Sequence, residues 1–381
     1  MAWRRILTDG FENGLPVYTT NLQNSGLNGE KNGSIYNLYA VSNPLQTLNM
    51  GASPGLGRNG GYACVVSASG DSRYIRSHYF RFNLDAACRN LSLRIYAFVP
   101  SGNVNPIRLL TFSNGFIKLT PLDNTITLVW KSPAVSITTM PFVYLSCWVC
   151  VEAKVKVDGA NSLLALRVNG NDIGTSGVDL GSDGITHIDY GLVENTTPAT
   201  VYLDDIAINA GDLADDVPWC GLCTGIVRAL PKADSETMNG WTPSTGSDAC
   251  SILDDVPQKW SGTPSYISTK VSGARHAVKL ETRTDLGLPE NSTLKAASMF
   301  ATAQDAFGSN AGLKPLSAKT DAAEPTVYDS WDAGGAPQIN VPGSTNYTGM
   351  MKNLNTQDEL TWEEFDKLLI GVESVLPESA V

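Results

Sequence analysis

Residues 151–170, VEAKVKVDGANSLLALRVNG, set the terms for any fold this chain can adopt. Val151, Ala153, Val155 and Val157 alternate with Glu152, Lys154, Lys156 and Asp158. A period of two places the apolar set on one face of an extended strand and the charged set on the other, as in a half-buried antiparallel sheet. The run DGAN (158–161) is turn chemistry, SLLALRVNG (162–170) reads as the returning strand, and its closing Asn169-Gly170 is a hairpin signal. The same rhythm runs upstream through SRYIRSHYFRFNL, LSLRIYAFV, IRLLTFS and NTITLVWKS, and downstream through HIDYGLVE (187–194) and TVYLDDIAIN (200–209). Strands at about ten-residue spacing indicate a sandwich or barrel. Composition agrees: 17 % of residues are charged, below the usual ~25 %, while 35 Gly and 20 Pro supply turns.

Around AGDLADDVPW (210–219) the pattern breaks, then strands resume in GIVRALP, SYISTKV, HAVKLE, TLKAASMFATA and GLKPLSAK. One helix is expected, in LTWEEFDKLLIG (360–371). There Thr361 and Glu364 have capping-box spacing, Leu360 and Phe365 have staple spacing, and Gly371 is placed to stop it. GVESVL after it reads as a returning strand. The expected fold class is therefore all-β: two tandem β-sandwich or jelly-roll domains with one short C-terminal helix. The first spans 1–212, a linker follows at 213–221, and the second spans 222–381 with the helix near 361–370.

Twenty-seven Lys and Arg stand against 38 Asp and Glu, for a net charge of −11. Such a surface repels phosphate, so direct nucleic-acid binding is not expected. MAWRRILTDG has no apolar stretch behind Arg4 and Arg5 and does not read as a signal peptide. No run approaches the ~18 apolar residues of a membrane span.

TDGFENG near the start, VEAKVKVDGANSLLALRVNG in the middle and VYLDDIAIN at the end of the first domain resemble the concanavalin A-like, laminin G-like sandwich of tailed-bacteriophage virion proteins. RALPKADSETMNGWTPSTGSD, PSYIST and TWEEFDKLLIGVES resemble a companion domain that follows that sandwich in phage structural proteins. The resemblance implies a virion structural protein made in the host cytoplasm, as capsid decoration, neck or collar, or tail component. It would act through homo-oligomeric assembly with other virion proteins, without catalysis, cofactor, metal or membrane. The alternative is a carbohydrate-binding receptor-recognition or fibre component that meets host surface polysaccharide. A glycan hydrolase is the third class.

PWCGLC (218–223) looks like a thioredoxin Cys-x-x-Cys, but such a motif needs a helix start after a parallel strand, and here a linker and a β-rich run flank it. Within the resemblance, Trp219 and Gly221 hold the family positions. Cys220 and Cys223 are candidates for oxidation in the assembled particle, within or between subunits. Cys147 and Cys150 fall in an expected strand, on opposite faces, too far apart along it for chelation or a mutual disulfide. The glucanase pattern Glu-x-Asp-x-x-Glu does not occur. Asp204 and Asp205, adjacent on a strand, are expected to face opposite ways at its polar end. His78, His187 and His276 each sit in an expected strand without a carboxylate cluster nearby in sequence. Trp241, Trp260, Trp331 and Tyr347 lie in polar, turn-rich stretches and are the candidates for glycan or interface contact.

Overall fold

The computed structural model describes residues 4–9, 28–31, 36–41, 48–54, 57–58, 62–68, 76–142, 144–195, 199–222, 229–253, 266–294, 298–303, 312–319, 348–353 and 361–376. The chain divides into two compact units, Met1–Ile226 and Val227–Val381. Both are built almost wholly of β-strands, as the alternating sequence requires.

The first unit opens with β1 (Arg4–Asp9), β2 (Asn28–Lys31), β3 (Tyr36–Val41), β4 (Leu48–Pro54), β5 (Tyr62–Ala68) and β6 (Arg76–Cys88). It continues through β7 (Asn90–Phe98), β8 (Ile107–Phe112), β9 (Gly115–Thr120), β10 (Thr125–Trp130) and β11 (Val135–Thr138). It ends with β12 (Trp148–Lys156), β13 (Leu163–Val168), β14 (Asn171–Ser176), β15 (Ile185–Asn195) and β16 (Ala199–Gly211). Two eight-stranded sheets result. The first runs β14-β13-β12-β7-β16-β5-β4, with β1 paired to β16 where β5 stops. The second runs β11-β10-β9-β8-β15-β6-β3-β2. At the β13–β14 hairpin Asn169 and Gly170 take φ of 50° and 80°, the left-handed pair that a two-residue hairpin turn demands.

Apolar residues of the alternating strands fill the space between the sheets. Leu91, Leu93, Ile95, Val151, Ala153 and Val155 come from the first sheet, and Phe112, Leu128, Trp130, Ile188 and Tyr190 from the second, each at most 1 % exposed. Phe112 and Trp130 meet with ring centroids 6.1 Å apart. Each large side chain buried there contributes about 1.5–3 kcal/mol.

The second unit carries β17 (Pro231–Asn239), β18 (Thr242–Pro243), β19 (Ile267–Ser268), β20 (Arg275–Leu280), β21 (Ser298–Ala303), β22 (Gly312–Lys319), β23 (Thr348–Asn353), α1 (Trp362–Phe365) and β24 (Leu368–Val375). A four-stranded antiparallel sheet, β17-β20-β24-β22, is its largest element, and β18–β19 and β21–β23 form two-stranded ladders. The capping box forms as its spacing predicts: Thr361 Oγ1 accepts from the Glu364 N–H at 3.2 Å, and Glu364 Oε2 accepts from the Thr361 N–H at 3.1 Å. Leu360 lies outside the described residues. The helix is shorter than the expected 361–370. It lasts one turn, because Leu368, Leu369 and Ile370 form the start of β24 between β20 and β22. Gly371 does not stop the helix. It lies inside β24 opposite Ala277, where the two backbones approach too closely for a Cβ.

His276 on β20 is 3 % exposed, with Nε2 3.3 Å from Asp234 Oδ1. The lack of a carboxylate near it in sequence misled: Asp234 arrives from β17 across the sheet. Burial holds its imidazole pKa below the ordinary value, and Asp234 opposes that only in part. The unfolded chain therefore binds a proton first as pH falls, so this residue's stabilisation is complete above about pH 6.5 and declines below it. Between about pH 7.5 and about pH 5.5 the melting temperature of the second unit should fall, and His276→Gln should flatten that slope. Differential scanning calorimetry across this range checks it; equal slopes in both proteins would refute the assignment.

Candidate functional site

The outer faces of the two sheets are treated in opposite ways. On the first sheet, Arg94 of β7, Glu152 of β12 and Arg167 of β13 stand side by side in register. The charged face read from VEAKVKVD is real, yet Glu152 is 0 % exposed and Arg94 2 %. Residues 212–222 cover them. The Glu152 carboxylate accepts the Gly221 N–H at 2.7 Å, Arg94 Nη1 donates to the Gly221 carbonyl at 2.7 Å, and Asn209 Nδ2 donates to the Pro218 carbonyl at 3.0 Å. The Trp219 ring lies against Arg167, whose Cζ is 4.4 Å from its centroid, with Lys154 Nζ at 5.2 Å. The segment expected as a linker is thus a strap on the sandwich, drawn down by backbone groups that find partners on the sheet.

Cys220, part of this strap, is buried against the sheet, its thiol directed at the carbonyls of Ser92 and Ala207 at 3.3 and 3.5 Å. Cys223 lies outside the described residues. Cys150 is buried in β12, whereas Cys147 is exposed just ahead of that strand and not within it. Among the described residues no three His, Cys, Asp or Glu side chains converge as a metal site would require, and no helix is long and apolar enough to cross a membrane.

Asp204 and Asp205 correct a second expectation. They do not face opposite ways at a polar strand end. A bulge in β16 puts Asp205 at φ 46° and buries both side chains, at 3 % and 2 % exposure. Asp204 Oδ2 accepts the Arg58 N–H at 2.8 Å, and Asp205 Oδ2 accepts Arg58 Nε and Nη2 at 2.8 and 2.6 Å. Arg58 also lies 4.0 Å over the Tyr96 ring. This cluster fastens residues 57–58 to the first sheet.

The second sheet instead presents a broad polar face. Arg81 of β6 and Asp189 of β15 are register partners, and their groups dock side-on: Nε to Oδ1 at 2.7 Å and Nη2 to Oδ2 at 2.9 Å. His187 stands on the same face, Nε2 3.9 Å from Asp189 Oδ2. Burial lowers its pKa, so the ring is neutral near pH 7, and Asp189 raises it only in part. Asn83 opposite His187 is exposed and Tyr79, two residues before Arg81, is half-buried; Thr138 is exposed on the same face, while Thr127 and the Thr111 hydroxyl are buried beneath it. On β8 and β9, Arg108 lies directly opposite Lys118. Phe116, 9 % exposed, carries Arg108 Cζ 4.4 Å and Lys131 Nζ 5.7 Å from its ring centroid.

Trp241 sits in the second unit, half-buried, its indole N–H donating to the Ala274 carbonyl at 3.0 Å. Trp260, Trp331 and Tyr347 lie outside the described residues. Sequence reasoning missed Arg81, Arg108, Phe116, Lys118 and Asp189 because their grouping depends on which strands pair, and GFIKLT, which forms β9, shows too little alternation to be read as a strand.

No protein-family model matches this chain, and no curated protein sequence does. Among solved structures, the cellulose induced protein Cip1 is similar at 14 % identity, over 56 % of this chain and 100 % of that one, with a TM-score of 0.37. Domain 4 of AbnA, an extracellular arabinanase from Geobacillus stearothermophilus solved with arabinotriose, aligns at 14 % identity over 55 % of this chain and 94 % of that one, TM-score 0.33. The binding domain of a botulinum neurotoxin aligns at 13 % identity over 54 % of this chain and 47 % of that one, TM-score 0.34. At this identity the likeness concerns the β-sandwich fold alone.

Proposed function

We propose that this chain is a carbohydrate-binding β-sandwich protein that holds glycan on the outer face of its second sheet without turning it over. The observation that supports this reading is the contrast between the faces: one is sealed by a strap, while the other keeps the amide of Asn83, the hydroxyl of Thr138, the imidazole of His187 and the guanidinium of Arg81 at least partly exposed. Sugars are recognised by such groups held on a rigid frame, because little side-chain freedom is lost when the ligand arrives. The Arg81–Asp189 pair fixes the centre of that frame.

Binding of the full chain to a panel of immobilised neutral and acidic polysaccharides tests the proposal. The expected result is retention by at least one glycan, loss of about tenfold in affinity in the double variant Asn83→Ala, His187→Ala at unchanged melting temperature, and no released saccharide on long incubation. Binding by no glycan would overturn it. The virion setting rests on the sequence resemblance: we place the protein on a phage particle, as a homo-oligomeric component that meets host polysaccharide. Mass spectrometry of purified particles is the check, and consistent absence of the chain would remove that setting.

A further inference from the structure

We propose that one end of the first sandwich is the surface on which a second copy of this chain docks, forming a reversible two-fold dimer. The inference goes beyond the carbohydrate reading and does not depend on it. Three runs meet at that end: 99–106 between β7 and β8, the β9–β10 turn at 121–124, and 139–147 between β11 and β12. Register places them together. Ile107 pairs with Leu119, so the run into β8 stands beside the β9–β10 turn, and the Phe142 N–H donates to the Asn124 carbonyl at 2.8 Å. On these runs Val104, Leu122, Met140 and Phe142 are 53 %, 75 %, 85 % and 64 % exposed.

Local folding does not ask for these side chains. The Asn124 N–H donates to the Pro121 carbonyl at 3.2 Å and closes the turn. Such turns ordinarily carry polar residues, yet Leu122 stands at this one. The group is also held in place. The Phe142 ring packs 5.6 Å from that of Tyr144, which is buried, and the Asn103 side chain beside Val104 accepts the Thr200 N–H at 3.3 Å. Grouped exposed apolar side chains mark interaction surfaces, and a fixed group loses little freedom when a partner covers it.

Charge selects the partner. The three runs contain one charged residue, Asp123, and no Lys or Arg. Segments that lie on membranes carry cations on their polar side, so a lipid surface does not suit these runs in a chain of net charge −11. Two copies of such a chain repel where their carboxylates meet, and here they can approach. An uncharged apolar patch is complementary to itself, as a two-fold contact requires. Four partly exposed side chains fall short of the ~800 Å² per partner of a standard interface, which makes the dimer weak and concentration-dependent.

Sedimentation equilibrium of the full chain from ~5 µM to ~1 mM tests this, with a dissociation constant of about 10–500 µM expected. Raising salt from about 0.05 M to about 0.5 M should tighten the dimer severalfold, because screening removes the repulsion and leaves the apolar contact. Leu122→Ser with Met140→Ser should weaken it at least tenfold, at a melting temperature within a degree or two of the parent, since both side chains stand mostly in water. Monomer at every concentration would overturn the proposal. So would a dimer that the double variant leaves intact, or one that salt dissociates, since either places the contact elsewhere. Vesicles of phosphatidylcholine, with and without phosphatidylserine, are the last arm. Vesicle binding that the double variant loses, with no dimer in solution, would assign this end to lipid and overturn the proposal as well.

Discussion

Glu152→Ala is expected to destabilise the first unit by about 3–5 kcal/mol, the usual consequence of removing one partner from a buried charged group. Glu152 is fully buried, flanked in register by Arg94 and Arg167, and bonded to the Gly221 N–H. Alanine leaves that N–H without its acceptor and Arg94 buried beside a void. For a unit of this size, 1 kcal/mol moves the melting temperature by about 2–4 °C, so the shift should be about 6–20 °C. Glu152→Gln keeps the shape and an acceptor oxygen and should lose less. The strap supplies an independent measurement: limited proteolysis should cut the alanine variant within residues 212–222 much faster than the parent chain. A melting temperature unchanged in Glu152→Ala would show that the strap is held by other means.

Gly371→Ala should be at least as damaging to the second unit. Gly371 is the point in β24 where the strand passes closest to β20; a Cβ there would fall on the His276 carbonyl oxygen and on Ala277 Cα and Cβ. These are backbone atoms and a methyl group with no rotamer to yield, so β24 must separate from β20. Overpacking usually costs about 1–3 kcal/mol, and here the obstacle is main chain in a central ladder, so the loss should lie at or above the top of that range. It also opens the pocket that keeps His276 neutral, so the acid sensitivity of the second unit should weaken together with its stability. Calorimetry of the variant beside His276→Gln reads both effects. A melting temperature within a degree or two of the parent would contradict the packing described.

These positions mark where the sequence is readable and where it is not. Strands β7, β10, β12, β13 and β16 were legible because each alternates over a full span and ends in turn residues, which is information held within one segment. Gly371 looked like a helix stop because local spacing cannot report how close another strand comes. Asp204 and Asp205 looked divided between two faces because a bulge is invisible until the register of β16 against β7 is known. The strap looked like a linker because its partners, Glu152, Arg94 and Asn209, lie far away in sequence. The juxtaposition of Arg108 and Lys118 on β8 and β9 was missed for the same reason, since register alone decides which residues face each other across two strands.

The pairing of β1 with β16 has a consequence for biosynthesis. β1 ends at Asp9, yet its partners are residues 206–210, so this strand must wait for the last strand of its unit. Long-range closure of this kind slows folding and prolongs the exposure of open strand edges. The first unit's sheet therefore closes only after residues up to 210 have left the ribosome, and its outer face is covered only when the strap follows. A chain released at residue 212 would leave the exit tunnel with its sheet closable but its buried arginine and glutamate bare to water.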